Sequence, residues 1–180
     1  MKPIPTRSTA VTAPGQPPRL QVGALCWRRS RKGLRILLIT SRDTGRWVIP
    51  KGWPMRNRTE AGAAAREAWE EAGLRGQISA VSIGVYTYRK RTPHSVFLPC
   101  VVRVYPLEAR EMLQKFPEIG QRRARWFSPE KAARRVAEHE LAALIRAFDP
   151  DAWATASPGP APNHPADQSQ DAAQEESEND

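Results

Sequence analysis

Apolar residues in the first third of the chain form short runs separated by basic or turn-forming segments, a pattern typical of strands. The first runs are Val22–Trp27, Leu34–Ile39 and Trp47–Ile49. The basic segment 28–33 predicts a hairpin connection between the first two runs. Pro50 stops the third strand, and residues 51–57 are predicted to form a loop.

The pattern changes to that of a helix after residue 58. Thr59 can cap a helix N-terminus, the following residues are rich in Ala and Glu, and Gly73 marks the C-terminal stop. Small residues recur along this helix at Ala61, Ala64, Ala65, Ala68 and Ala72. Small side chains let a helix approach a sheet closely, so this stripe predicts the buried face.

The second half of the chain repeats the order of strands followed by a helix. Two long strands are predicted at Ile78–Tyr88 and Val96–Tyr105, joined by a basic turn at 89–93, and a short strand at Arg125–Phe127 follows. Ser128 as N-cap and Pro129 at the first helical position open a second helix. Its apolar positions are Ala132, Val136, Leu141, Leu144, Ile145 and Phe148. The whole order predicts a mixed sheet with helices packed on it.

Charge and composition divide the chain into three parts. The Pro-rich residues 1–18 are expected to be a disordered arm, 19–150 a single domain, and 151–180 a disordered acidic tail. The net charge of the chain is +9. From Ala152 onward there are six acidic residues and no Lys or Arg, which leaves 28 basic against 13 acidic residues and a charge of +15 for 1–151. Such a field attracts polyanions, among them polyphosphates and nucleic acid.

Composition also limits the class of protein. No stretch approaches the roughly 20 apolar residues that span a membrane, and no apolar signal-peptide core follows Met1. Cys26 and Cys100 lie in apolar runs and are predicted to be buried core thiols, rather than a disulfide or a metal site. A cytoplasmic location is the default expectation, while the oligomeric state has no signal in the sequence.

Three carboxylates on the first helix carry the strongest chemical signal. Glu67, Glu70 and Glu71 are spaced i, i+3 and i+4, so they share one helical face. Carboxylates this close repel one another unless a cation holds them, and a hard divalent ion such as magnesium prefers oxygen ligands. The alternative for a Glu-Glu pair is an ordinary solvent-exposed helix face.

The window from Gly52 to Leu74 resembles the Nudix box. That pattern is Gly, five residues, Glu, seven residues, then Arg-Glu, an apolar residue, any residue, Glu-Glu, any residue, Gly and an apolar residue. The match fails only where the box has its first Glu and this chain has Arg58. Glu60 lies two residues later and is open to two interpretations: it replaces the missing charge, or it favours the helix N-terminus.

The resemblance implies a Nudix-like α/β/α sandwich with a central mixed sheet and two main helices. It also implies a metal-dependent pyrophosphohydrolase that uses Mg²⁺ or Mn²⁺. The implied metal ligands are Gly52 through its carbonyl, Glu67, Glu70 and Glu71. Glu67 or Glu70 is implied to activate water, Arg66 to hold the glutamates in place, and Glu118 is a candidate for an additional carboxylate.

The substrate depends on basic residues outside the box. Residues 119–127 resemble the late strand of the diphosphoinositol polyphosphate phosphohydrolase branch, which implies a diphosphoinositol polyphosphate or a dinucleoside polyphosphate. The candidate substrate-binding residues are Lys51, Arg89, Lys90, Arg91, Arg122 and Arg123. The alternatives are another Nudix substrate, such as RNA 5′ ends, an ADP-sugar or an oxidised nucleotide, and a non-catalytic module that binds RNA or another polyanion. The Glu70-Glu71 pair argues against the binding module, because a pure binder does not need a metal cage.

Overall fold

A mixed sheet between two helical layers forms the part of the chain that the computed structural model describes, residues 17–91 and 97–154. The strands are β1 Arg19–Ser30, β2 Gly33–Thr40, β3 Trp47–Val48, β4 Lys51–Gly52, β5 Leu74–Ile78, β6 Gly84–Arg91, β7 Phe97–Met112 and β8 Ala124–Phe127. The helices are α1 Glu60–Ala72, α2 Pro129–Ala133, α3 His139–Ala147 and α4 Pro150–Ala154. The predicted α/β class and mixed sheet are confirmed.

Strand β1 lies at the centre of this sheet. It runs parallel to β7 and antiparallel to β2 and β4, and the path through the sheet is β3-β2-β1-β7-β5. Strands β6 and β5 both pair with β7, one after the other along its length. In this arrangement Gly52 of β4 lies opposite Val22 of β1, and Val22 in turn lies opposite Arg103 of β7.

Helix α1 has the limits that its capping residues predict. The Thr59 hydroxyl accepts a hydrogen bond from the Gly62 amide at 3.0 Å, and Gly73 ends the helix in the left-handed conformation at φ 64°. The predicted small-residue stripe is buried against the sheet, and the opposite face of the sheet is covered by α2 and α3. Cys26 and Cys100 are buried free thiols, as expected.

The strand predicted over Ile78–Tyr88 is wrong in its first half. Strand β5 ends at residue 78, and β6 begins only at Gly84. In the turn between them, the Ser79 hydroxyl accepts a hydrogen bond from the Val81 amide. Both strands lie along β7, which therefore extends to Met112 instead of ending at Tyr105. Long strand β7 is possible because two successive partners supply its hydrogen bonds.

The predicted basic turn and the predicted loop also need correction. Arg89, Lys90 and Arg91 belong to β6, where they pair with residues 97–99 of β7. Positions 92–96 of the predicted turn and strand lie outside the described residues. The predicted loop at 51–57 begins with strand β4, because Lys51 and Gly52 pair with β1.

The second predicted helix is two helices. Helix α2 ends at Ala133, and α3 starts again at His139. The apolar periodicity continues across the break because Ala132, Val136, Leu141 and Ile145 all pack into the same core cluster. Helix α4 adds described structure four residues beyond the predicted domain boundary at residue 150.

Candidate functional site

Gly52 of β4 and Glu67 of α1 lie in close contact, and we call this pair the Gly52 notch. Pairing with Val22 fixes the backbone of Gly52. The Glu67 carboxylate occupies the space that a side chain at residue 52 would need, because a Cβ there would overlap Oε1 and Cδ of Glu67. Glycine is therefore required for the carboxylate to reach the backbone.

Glu71 lies one turn further along α1 in a different environment. Its Oε2 accepts a hydrogen bond from the Lys51 amide at 3.0 Å, and its Oε1 is paired with Nη2 of Arg122. Burial raises the pKa of Glu71, while Arg122 and the Lys51 amide oppose that rise. Glu71 thus ties helix α1 to strand β4 and to the segment before β8.

Arg122 is held by two carboxylates, and we call Arg122, Glu71 and Glu118 the Arg122 cluster. Its Nε donates to Oε2 of Glu118 at 2.7 Å, and its Nη1 donates to the carbonyl of Thr40 at 3.1 Å. Only 7% of its side chain is exposed. The expectation that Arg122 contacts the substrate does not fit this position, because the buried guanidinium is used by partners within the protein.

Glu118 and Glu70 are brought together by the backbone. The Glu118 amide donates to the carbonyl of Glu70 at 3.0 Å, so the predicted additional carboxylate lies beside the carboxylate face of α1. Glu70 itself forms an ion pair with Arg66, with Nε 2.5 Å from Oε1. Arg66 also lies over the Trp69 ring, 4.1 Å from its centroid. Arg66 is therefore the ionic partner of Glu70.

Glu67 is partly buried close to three other carboxylates. Its pKa is raised to about 7, first by burial and then by the charges of Glu71, Glu70 and Glu118. A cation at the notch would relieve this repulsion, and an all-oxygen donor set fits a hard divalent ion. In residues 17–91 and 97–154, however, no three acidic, His or Cys side chains converge as a metal-binding group. Glu70 and Glu71 instead face their arginines.

Of the five remaining predicted basic residues, three lie near aromatic rings and two are exposed on β6. The Lys51 ammonium is 4.8 Å from the centroid of Tyr88, and burial is the main cause of a lowered pKa for Lys51. The Lys90 ammonium is 4.9 Å from the centroid of Trp53. Arg123 lies 5.8 Å from Trp47, while Arg89 and Arg91 are exposed along β6.

Arg19 and Arg103 also lie near the site, and neither belongs to a motif in the sequence. Arg19 lies over the Trp53 ring at 4.8 Å, on the same ring that Lys90 contacts. Glu60 turns towards the sheet and pairs with Arg103. The alternation along β7 could have placed Arg103 on the α1 face, because Tyr105 and Leu107 on the same face are core residues.

None of the helices in the described ranges is long and apolar enough to cross a membrane.

Comparisons with known proteins find similar sequences and similar folds. The profile of the NUDIX domain matches residues 17–148. Human diphosphoinositol polyphosphate phosphohydrolase 3-alpha is 30% identical over 123 residues, which cover 67% of this chain and 70% of the human protein.

Two solved structures show a similar fold. The C. elegans Ap4A hydrolase has a TM-score of 0.52 at 20% identity, over 72% of this chain and 94% of that chain. The NUDIX domain of Shewanella oneidensis NrtR, complexed with ADP ribose, has a TM-score of 0.55 at 15% identity, over 73% and 88% of the two chains. At these identities the likeness shows the fold alone.

Proposed function

Since this chain belongs to the Nudix family and is a hydrolase of phosphoric anhydride bonds, we propose that it cleaves a diphosphoinositol polyphosphate or a dinucleoside polyphosphate. The reaction requires a divalent metal ion, Mg²⁺ or Mn²⁺. The observation that carries this proposal is the carboxylate face of α1 at the Gly52 notch, next to a sheet edge rich in exposed basic residues.

The Gly52 carbonyl, Glu67, Glu70 and Glu71 are the residues that would hold the metal, with Glu118 as a further carboxylate. When bound, the metal neutralises negative charge on the reacting phosphates. Glu71 would have to share its carboxylate with the metal, because its Oε2 already accepts a hydrogen bond from the Lys51 amide and its Oε1 is paired with Arg122. Glu70 would have to exchange part of its contact with Arg66.

Glu67 is the residue we assign to orienting or deprotonating the attacking water. It lies directly against Gly52, whereas Glu70 is committed to Arg66. A general base must lie within hydrogen-bond reach of the proton that it takes, so a position at the notch suits this role. Glu70 is the second candidate for the same step.

The substrate's distal phosphates are assigned to the basic residues of β6 and its surroundings. These residues are Lys51, Arg89, Lys90, Arg91 and Arg123. Lys and Arg side chains bind clustered phosphates through charge-assisted hydrogen bonds. Arg122 is omitted from this set, because its guanidinium holds Glu71 and Glu118. The similarity to a protein named as a diphosphoinositol polyphosphate phosphohydrolase supports the same substrate class.

A substrate panel with Mg²⁺ or Mn²⁺, with products identified by mass, tests the proposal. The panel contains a diphosphoinositol polyphosphate, a dinucleoside polyphosphate, ADP-ribose, an oxidised nucleoside triphosphate and a triphosphorylated RNA 5′ end. We expect the first two to be hydrolysed fastest. The matched control is Glu70→Gln, which removes a ligand charge at nearly unchanged volume and should abolish phosphate release while the fold remains intact.

Two results would contradict the proposal. Preferential hydrolysis of ADP-ribose, an oxidised nucleotide or RNA would replace the substrate class. Turnover by Glu70→Gln at the rate of the unmodified protein would remove Glu70 from the metal ligands.

A further inference from the structure

Glu60 makes the most extensive polar contact between the N-terminal turn of α1 and the sheet. Its two carboxylate oxygens lie 2.8 and 2.6 Å from Nη1 of Arg103, and the Tyr105 hydroxyl donates to Oε2 at 2.7 Å. Arg103 and Tyr105 both lie on β7, two residues apart, so they face the same side of the sheet. One carboxylate therefore joins the first residue of the helix to two successive positions on the α1 face of one strand.

On the helix side, the rest of the interface between α1 and the sheet consists mainly of small side chains. The buried positions on the helix are Ala61, Ala63, Ala64, Ala65, Ala68, Glu71 and Ala72. Methyl groups allow close approach, but they interlock less with their neighbours than larger side chains, which fill grooves and resist sliding. Polar contacts must therefore contribute much of what fixes the helix along and around its axis.

Two such contacts are separated by most of the helix. Glu60 holds the first turn, and Glu71 holds the last turn through Lys51 and Arg122. At a rise of about 1.5 Å per residue, these points are about 16 Å apart. Glu67 lies between them, seven residues after Glu60 and on nearly the same face.

We propose that Glu60, Arg103 and Tyr105 form a strut that sets the position of α1 and so holds Glu67 at the Gly52 notch. The strut puts a carboxylate two positions after the exposed Arg58, which stands where the box has its first Glu. This inference rests on the proposed function for its kinetic consequences. Glu60 is a positioning residue, because its contacts are with the sheet and not with Gly52.

A double-mutant cycle tests the strut. The variants are Glu60→Gln, Arg103→Met and the double substitution, and Tyr105→Phe is a milder member that removes one hydroxyl. The control is Arg110→Met, which breaks the exposed ion pair between Arg110 and Glu108 on the same strand. The measurements are kcat and KM on the best substrate of the panel, Mn²⁺ affinity, and hydrogen exchange of α1 amides in metal-free protein.

We expect Glu60→Gln and Arg103→Met each to lower kcat about tenfold, since a small displacement of a reacting group is costly, with KM changed less than about twofold. The double variant should be no slower than either single variant, because both remove one interaction. Mn²⁺ affinity should fall in the same variants, and exchange should increase in the first two turns of α1. Arg110→Met should behave as the unmodified protein.

Three results would overturn the strut. Additive losses in the double variant would show that Glu60 and Arg103 act separately. A raised KM in Arg103→Met with an unchanged KM in Glu60→Gln would make Arg103 a substrate contact instead. Unchanged hydrogen exchange in Glu60→Gln would show that α1 does not depend on this contact.

The readouts also separate this inference from the proposed function. If the unmodified protein hydrolyses nothing in the panel, the proposed function fails. Hydrogen exchange and Mn²⁺ affinity still decide whether Glu60 positions α1. For a variant that does not fold, Tyr105→Phe decides through the same exchange measurement, with faster exchange supporting the strut and unchanged exchange overturning it.

Discussion

The Gly52 notch and the Arg122 cluster lie one helical turn apart, and each buries a glutamate of α1, but only the cluster provides that glutamate with partners. At the notch, Glu67 is pressed against bare backbone, and its pKa is raised to about 7 by burial and by neighbouring carboxylates. In the cluster, the Glu71 carboxylate accepts a hydrogen bond from the Lys51 amide and is paired with the Arg122 guanidinium. Protein groups thus partly compensate the buried charge of Glu71, whereas Glu67 lies close to other carboxylates.

This difference suggests a division of labour along α1. A carboxylate that is paired with Arg122 fixes the position of the helix. Moving this carboxylate away would leave a buried charge without its partner. A carboxylate that is repelled by its neighbours gains most from an added cation. Position and reactivity are therefore assigned to different glutamates of the same motif.

The largest expected effect comes from removing the reactive carboxylate. Glu67→Gln should lower kcat about 10³-fold, in the range expected for loss of a general base, without reducing the stability of metal-free protein. Steady-state kinetics with Mg²⁺, together with thermal unfolding in EDTA, check both parts. Near-normal turnover would transfer the role of base from Glu67 to Glu70.

Removing the buried guanidinium should act on stability instead. Arg122→Met should lower the free energy of unfolding by about 3 kcal/mol, because Glu71 and Glu118 lose their shared partner while still partly buried. Arg122→Lys is the matched control, since it keeps the charge but loses the forked contacts, and it should cost less. Denaturant unfolding measures both. A stable Arg122→Met variant with a raised KM would return Arg122 to the substrate-binding residues.

The basic residues of β6, of which Arg89 and Arg91 are exposed and Lys90 is half-buried, provide the contrast with buried Arg122. Replacing Arg89, Lys90 and Arg91 together by Gln should raise KM about tenfold for a multiply charged substrate and much less for ADP-ribose, because several phosphate contacts are lost. Stability should change little. Equal increases in KM for both substrates would show that this strand does not bind the distal phosphates.

The smallest effect concerns pH. Because the pKa of Glu67 rises from its ordinary 4.5 to about 7 on folding, the folded protein binds this proton more tightly than the unfolded chain. The resulting stabilisation is complete below pH 4.5 and is lost as pH rises through 7. In EDTA, Glu67→Gln should therefore melt a few degrees above the unmodified protein at about pH 8, and at the same temperature near pH 4. A pH-independent difference would mean that folding does not raise the pKa of Glu67.

Helix α1 is the most predictable part of the fold. Thr59 and Gly73 mark its ends by local chemistry, and Ala spacing marks its buried face, so tertiary contacts were not needed. Strand β5 was missed because it starts directly after Gly73 and contains Gly76, a residue that weakens a strand signal. Its hydrogen bonds come from β7, which is distant in sequence.

The site was predictable in its residue types but not in its partners. Spacing placed Glu67, Glu70 and Glu71 on one face, yet it contained no sign that Glu71 would be tied to Lys51 and Arg122. Basic residues look alike in a sequence. Only the fold separates a buried arginine that binds carboxylates from an exposed one on β6.

The bare backbone at Gly52 has a consequence for protein design. A scaffold given the three glutamates of α1, on a helix of the same length, would still lack the notch into which Glu67 fits. The recess exists because β4 pairs with β1 and has glycine as its second residue. Transplanting this chemistry therefore means transplanting a strand pairing and an absent atom along with the carboxylates.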